Sequence, residues 1–95
     1  MSYVTPEKVI APQKRWHMVD VLLDKGENEP SYAIGLWDQR RVIVFRWNGS
    51  QEAPGGNPQS RAHPTWIVLD DALYPAIIDM VPDAKKTVAR AFLGI

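Results

Sequence analysis

The side chains of this sequence that are best suited to binding chemistry form one basic and aromatic set. Arginine guanidinium groups pair with phosphates and aromatic rings stack on bases, so this combination is typical of proteins that bind single-stranded nucleic acid. The set comes from one strongly strand-like run and from the polar segment that follows it. The candidate ligand-binding residues are Arg41, Phe45, Arg46, Trp47, Asn48, Arg61 and His63.

A purely structural role for the same residues is equally well defined. Phe45 and Trp47 can pack in the core, while Arg46 pairs with an acid. The chain has eleven basic and eleven acidic residues, so its formal net charge is zero. A protein that holds nucleic acid mainly through phosphates normally carries a clear basic excess, so the charge balance counts against this class of ligand.

The other polar residues do not form a recognisable catalytic or metal centre. The chain has no cysteine, and its two histidines, His17 and His63, lack the spacing of a metal site. Asp70-Asp71 is explained by a helix N-terminus, and Gly55-Gly56-Asn57 lacks the lysine of a phosphate-binding loop. We therefore expect no catalytic residues, no metal and no cofactor, and a binding protein rather than an enzyme.

Strands must position the candidate residues. Alternating apolar side chains predict strands over 15–24, 31–37, 41–47 and 65–69. In the third strand, one face carries Arg41, Ile43, Phe45 and Trp47, and the other carries Val42, Val44 and Arg46. In the first strand, strict alternation places Trp16, Met18 and Leu22 on one face.

Glycines and prolines mark the boundaries of the remaining elements. Gly35 lies inside the second strand, where the absence of a side chain can make room for a neighbouring tryptophan. Asp70 is a candidate N-cap, a regular helix is expected from Pro75, and Pro82 separates it from a second helix. A short helix of about two turns is expected after Thr5.

The predicted fold class is α+β, with a four-stranded antiparallel meander followed by two C-terminal helices packed on one face. Residues 1–14 form an N-terminal arm, and residues 15–95 form a single domain with a long loop at 48–64. The two helices leave the other face of the sheet to be covered by the arm, the loop or a second copy of the chain. We expect a homodimer, with a monomer closed by residues 1–14 as the alternative.

Three short motifs carry a resemblance to known proteins. Arg46-Trp47-Asn48-Gly49, the run over 56–61 and Pro64-Thr65-Trp66 together resemble a set of small uncharacterised bacterial proteins, over about residues 32–80. The order of strands and helix is similar, more distantly, to the positive-cofactor-four and Whirly class, most closely over 41–49 and 65–81. That likeness implies a dimer whose sheets face single-stranded DNA, although the chain lacks the basic tail of that class.

The sequence leaves three functions open. The first is a non-enzymatic binding module for single-stranded nucleic acid, and the second is a homodimeric protein-interaction or accessory domain. The third is a small-molecule binder in which loop 48–64 closes over a tryptophan-lined pocket. The N-terminal residues do not resemble a signal peptide and no apolar run could cross a bilayer, so we expect a cytoplasmic protein without a membrane partner.

Overall fold

The computed structural model describes residues 3–95 and has the predicted α+β layout. Four antiparallel strands form one sheet in the order β1-β2-β3-β6, and two helices follow it in the chain. Single 3-10 turns lie at Pro6–Lys8 and Asp71–Leu73. The strands and helices are β1 Trp16–Asp24, β2 Pro30–Trp37, β3 Arg40–Trp47, β4 Gln59–Ser60, β5 His63–Pro64, β6 Ile67–Val68, α1 Tyr74–Met80 and α2 Asp83–Leu93.

The central hairpin of β2 and β3 confirms the alternation predicted for these strands. Their register is continuous from Trp37 opposite Arg40 to Pro30 opposite Trp47. Asp38 and Gln39 form the connecting turn, and both have positive φ angles, of 50° and 68°. Left-handed conformations at both central positions match the twist of the flanking strands, so this short turn fixes the register.

The edge strand β1 departs from strict alternation. Its register with β2 shifts twice, between Met18 and Asp20 and between Val21 and Leu23. Because each bulge inserts one residue, the side chains beyond it change face. Trp16 and Met18 pack in one hydrophobic cluster, whereas Leu22 packs in the other. The prediction that these three residues share a face is therefore wrong for Leu22.

The helices cover one face of the sheet, as predicted. Asp70 accepts a hydrogen bond from the backbone N–H of Ala72 at 2.9 Å and caps the helical segment. The Tyr74 hydroxyl accepts from the N–H of Ile43 at 3.1 Å, next to the short strand β6. The core on this side consists of Leu22, Ile34, Ile43, Tyr74, Ile77, Ile78, Val81 and Ala89.

The opposite face is covered by the chain's own arm and by the segment around Trp66. Val9 is buried there, and the Trp66 indole N–H donates to the Val9 carbonyl at 2.7 Å. The core on this side consists of Val9, Trp16, Ala33, Val42, Val44 and Trp66. The expected helix of the arm is a single 3-10 turn. The uncovered face that motivated a dimer is thus covered within one chain.

The segment 48–64 is a structured connection rather than an irregular loop. It contains the β4–β5 hairpin, whose turn residues Arg61 and Ala62 have φ angles of 50° and 65°. Trp47 and Asn57 exchange two backbone hydrogen bonds, of 2.7 and 3.0 Å. The segment therefore folds back so that Asn57 pairs with the last residue of β3.

Gly35 makes the close approach that its position in the second strand predicted. A Cβ atom there would overlap the His17 carbonyl and lie 2.5 Å from the Trp16 ring. We expect Gly35→Ala to lower the free energy of unfolding by about 1–3 kcal/mol, because the strand pair must separate to relieve the overlap. Denaturant unfolding followed by tryptophan fluorescence measures this.

Gly55→Ala is the matched control for this substitution. A Cβ atom at Gly55 would meet only the side chain of Gln59, which can move. We expect its free energy of unfolding to stay within about 0.5 kcal/mol of the wild-type value. Equal losses in the two variants would contradict the tight contact at Gly35.

Candidate functional site

Arg46, the centre of the predicted binding set, is completely buried on the arm side of the sheet. One guanidinium NH₂ group donates to the Thr65 carbonyl at 2.6 Å, and the other donates to the Gly55 carbonyl. Burial lowers the pKa of Arg46 below its usual value, because the charged form is removed from water. Arg46 holds segment 48–64 on the sheet and is not accessible to a ligand.

Asn48 is also completely buried and has a similar role at the other end of this segment. Its amide group donates to Asp24 at 2.9 Å and to the Gly26 carbonyl at 2.8 Å. Its amide oxygen accepts from the Ser31 hydroxyl at 2.8 Å. These bonds use the side chain's donors and one acceptor site, so Asn48 joins β3 to the β1–β2 turn.

The predicted aromatic residues lie on the helix side of the sheet. Phe45 packs against Tyr32 with ring centroids 5.5 Å apart. Trp47 is 40% exposed, and its indole N–H donates to Asn28 at 3.2 Å. Both rings therefore face away from the arm.

Arg41 also lies on the helix side, but at the opposite end of β3 from Trp47. It donates to the Phe92 carbonyl at 3.0 Å, and its guanidinium carbon lies 5.3 Å from the centre of the Phe92 ring. Arg41 thus contacts the C-terminal turn of α2, where a positive charge is favourable. It is separated from the two rings that were expected to act with it.

Arg61 and His63 are exposed on the β4–β5 hairpin, where they meet the N-terminal arm. An open groove of about 880 Å³ runs between the two segments, and we call it the arm–hairpin groove. Its lining residues are Ile10, Ala11, Pro12, Gln13, Lys14, Arg15, Arg61 and His63. Of the seven predicted residues, the structure brings only Arg61 and His63 together here.

The arm–hairpin groove is basic, and none of its lining residues carries a carboxylate. Arg15 pairs with Asp38, with a closest N–O distance of 2.5 Å, and its hydrogen bond lowers the pKa of that carboxyl below its ordinary value. Lys14 and Arg61 are in none of the ion pairs found among residues 3–95. Two uncompensated cations therefore face this groove in a chain of zero formal net charge.

Sequence patterns missed the contribution of the arm. The dipeptide Lys14-Arg15 was visible in front of β1, but nothing in the sequence indicated that it would lie beside Arg61. Two hydrogen bonds hold the arm in place: the Trp66 indole N–H donates to the Val9 carbonyl at 2.7 Å, and the backbone N–H of Trp16 donates to the Pro12 carbonyl at 2.8 Å. Both hydrogen bonds join the arm to tryptophans of the core on the arm-covered face of the sheet.

Segment 48–64 does not form the lid that the small-molecule hypothesis requires. Gly56 lies so close to the sheet that an added Cβ atom would overlap the Trp47 carbonyl and lie 2.7 Å from the Arg46 guanidinium. The space beneath the segment is thus filled by Arg46. Within the described part of the chain, no three histidine or acidic side chains are grouped as a metal site.

Comparisons with protein-family models, curated proteins and solved structures give no match to this chain. Neither helix among residues 3–95 combines the length and the apolar character that crossing a bilayer requires. The groove and the open edge of the sheet at β1 are the two surfaces from which a function can be argued.

Proposed function

We propose that this protein is a non-enzymatic module that binds single-stranded nucleic acid in the arm–hairpin groove. The observation that supports it is the pair of cations, Lys14 and Arg61, which are in no ion pair among residues 3–95 and which both line a groove without carboxylates. His63 and Arg15 add further nitrogen donors on the same surface.

The groove is lined by basic and apolar residues, which match the phosphates and the apolar bases and sugars of a nucleic acid. Guanidinium and ammonium groups donate charge-assisted hydrogen bonds to phosphate oxygens. Ile10 is 49% exposed and lines the groove together with Ala11 and Pro12, where unstacked bases and sugars can contact them. An acidic peptide offers the same charge but fewer flat apolar groups, so nucleic acid is the better fit.

The proposed mode differs from the one expected from sequence. Phe45 and Trp47 lie on the helix side, so base stacking on these rings is not part of it. Arg46 and Asn48 act only by holding segment 48–64, and through it the β4–β5 hairpin. With about two phosphates neutralised, we expect weak binding, with a dissociation constant of roughly 10⁻⁵ M at low salt.

A salt titration tests this mode. For a fluorescein-labelled oligothymidylate, anisotropy should saturate, and a plot of log K against log salt should have a slope of about −1.4, for two single-strand phosphate contacts. Lys14→Glu and Arg61→Glu should each weaken binding about tenfold at about 50 mM salt and reduce the slope by about 0.7.

Lys25→Glu is the matched control, because Lys25 is exposed in the β1–β2 turn and does not line the groove. It should leave the affinity within about twofold of wild type, since its charge is remote from the ligand. Equal weakening by Lys25→Glu and Arg61→Glu would contradict the proposed site. Displacement by polyglutamate at equal charge concentration would identify an acidic-chain site and overturn the nucleic-acid proposal.

A further inference from the structure

The first strand, β1, is an open edge of the sheet. The strand order is β1-β2-β3-β6, so β1 has a neighbouring strand only on its β2 side. Among residues 3–95, no backbone–backbone hydrogen bond outside the β1–β2 ladder involves residues 17–23. The peptide groups of this run that point away from β2 are therefore without a strand partner, and such an edge can pair with a further strand.

A groove follows this edge, and we call it the β1 groove. It has a volume of about 610 Å³ and is lined by the whole run 18–24. Glu7 of the arm also lines it, together with Pro82, Ala84 and Lys85 at the start of α2. Since the arm and α2 cover opposite faces of the sheet, the groove is bounded by one of them on each face. An extended chain in this position would continue the sheet.

The carboxylates of the β1 groove that are in no ion pair lie on the arm side. Asp24 is opposite Ser31 in the β1–β2 ladder, and Ser31 is opposite Arg46, which lies on the arm side. Glu7 belongs to the arm itself. Neither carboxylate is in any of the ion pairs found among residues 3–95. Both are therefore available to a basic side chain on this side.

The Asp24 carboxylate is held in place by its neighbours. Its Oδ1 accepts from the N–H of Gly26 at 2.9 Å, from the Ser31 hydroxyl at 3.2 Å and from the Asn48 amide at 2.9 Å. Among residues 3–95, its Oδ2 has one donor, the Tyr3 hydroxyl at 3.4 Å. The orientation of the carboxylate is thus fixed before a ligand arrives, and one oxygen can accept from a charged donor.

The helix side of the β1 groove is apolar apart from one ion pair. Asp20 is opposite Ile34, which belongs to the helix-side core. Its carboxylate lies 2.8 Å from the Lys85 ammonium group, so the two charges compensate each other. The other residues that line the groove on this side are Leu22, Leu23, Pro82 and Ala84.

We infer that the β1 groove binds an extended, basic segment of a partner protein, which adds to the sheet as a strand beside β1. Successive side chains of a strand point to opposite faces. A segment in which lysine or arginine alternates with apolar residues therefore directs its cations at Glu7 and Asp24 and its apolar side chains at α2. In this mode of binding, backbone hydrogen bonds supply affinity and the alternate side chains supply specificity.

The charges disfavour a second copy of the chain at this edge. Asp20 is the central residue of β1, which runs over Trp16–Asp24. Two β1 strands paired antiparallel about a two-fold axis at the strand centre would place Asp20 opposite its own equivalent, and like charges directly opposite are destabilising. The β1 groove also contains three carboxylates and one ammonium group, and thus has a formal charge of −2. A basic partner segment is attracted to this charge, whereas the same groove of another copy is repelled.

Two bulges in β1 limit the strength of the contact. Val19 and Leu22 are extra residues relative to β2, so the outward-pointing backbone groups are not evenly spaced along the strand. An added strand can therefore form only part of a regular ladder. We expect weak binding, with a dissociation constant of about 10⁻⁴ M.

Binding of a synthetic peptide to the full chain tests the inference. The probe is a fluorescein-labelled heptapeptide in which lysine alternates with valine. Its anisotropy should rise to saturation as protein is added up to about 1 mM at about 50 mM salt. Amide hydrogen exchange of residues 17–23 should become slower in the complex, because outward-pointing N–H groups acquire acceptors.

Glu7→Lys tests the charged contact on the arm side. Glu7 is exposed, so we expect the fold to tolerate the change, and the reversed charge should weaken peptide binding about tenfold. Asp79→Lys is the matched control, because Asp79 is an exposed carboxylate of α1 that does not line the groove. It should leave the affinity within about twofold of wild type.

A second peptide tests the backbone contact. The same heptapeptide with methylated backbone nitrogens keeps its charges but cannot donate hydrogen bonds to β1, so it should bind at least about tenfold more weakly. Equal binding of the two peptides would show a purely electrostatic contact and overturn strand addition.

Three further results would overturn the inference. Binding that does not saturate would exclude a basic strand at this edge. An affinity insensitive to Glu7→Lys, or weakened equally by Asp79→Lys, would exclude the β1 groove as the site. Slower exchange of residues 17–23 on concentrating the protein without peptide would assign the edge to a second copy of the chain.

Discussion

Replacement of Arg46 by alanine is expected to lower the free energy of unfolding by about 4 kcal/mol, a large part of the stability of a domain of this size. The substitution removes a long buried side chain and leaves the Thr65 and Gly55 carbonyls without their donors. Both losses act on the contact between segment 48–64 and the sheet. Denaturant unfolding monitored by tryptophan fluorescence measures the change.

Two further variants separate the contributions of packing and hydrogen bonding. Arg46→Met retains most of the side-chain volume and removes the cost of burying a charge, so we expect a smaller loss of about 2 kcal/mol. Arg40→Ala removes an exposed arginine from the same strand and should change stability by less than about 0.5 kcal/mol. A loss for Arg46→Ala as small as that for Arg40→Ala would contradict the buried position of Arg46.

The position of Arg46 was predictable from the sequence, but its surroundings were not. Strand alternation correctly placed it on the face opposite Phe45 and Trp47. Whether that face is covered depends on where the arm and segment 48–64 pack, and those contacts join residues far apart in the chain. The Thr65 and Gly55 carbonyls that bind the guanidinium are backbone groups, which carry no pattern in side-chain types.

The predictions that rest on a single residue type at a defined place in a helix or strand were confirmed. Asp70 caps a helix because its side chain reaches an N–H only two residues away. Gly35 was correctly associated with a tryptophan, because a strand glycine marks a close approach. Bulges in β1 were not predicted, since they depend on how the edge strand meets the helices and the arm. One inserted residue was enough to move Leu22 to the other core.

The arm–hairpin groove was also only partly predictable from the sequence. Arg61 and His63, which were predicted as binding residues, line one groove, but the other charged residues of that groove, Lys14 and Arg15, come from the arm. Sequence spacing cannot predict a pairing of segments about fifty residues apart. The zero net charge, which counts against a nucleic-acid ligand, also means that any basic site on this chain is a local one.

Asn48→Asp is expected to lower the free energy of unfolding by about 4 kcal/mol at pH 7, although the two side chains have nearly the same shape. The amide group of Asn48 donates to Asp24 and to the Gly26 carbonyl. A carboxylate at this buried position would replace both donated bonds with repulsion between oxygen atoms. Denaturant unfolding at pH 7 and at about pH 4 measures the effect.

The pH dependence identifies the cause of that loss. The neighbouring Asp24 raises the pKa of the introduced carboxyl in the folded state, because two adjacent carboxylates disfavour each other's ionisation. A raised folded-state pKa makes the penalty small below the unfolded-state value of about 3.9 and lets it grow as pH rises through the folded-state value. Asn48→Ala, which introduces no charge, should lose about 3 kcal/mol at both pH values. A penalty for Asn48→Asp that does not change with pH would show that Asn48 does not face Asp24, and segment 48–64 would then need a different attachment to the β1–β2 turn.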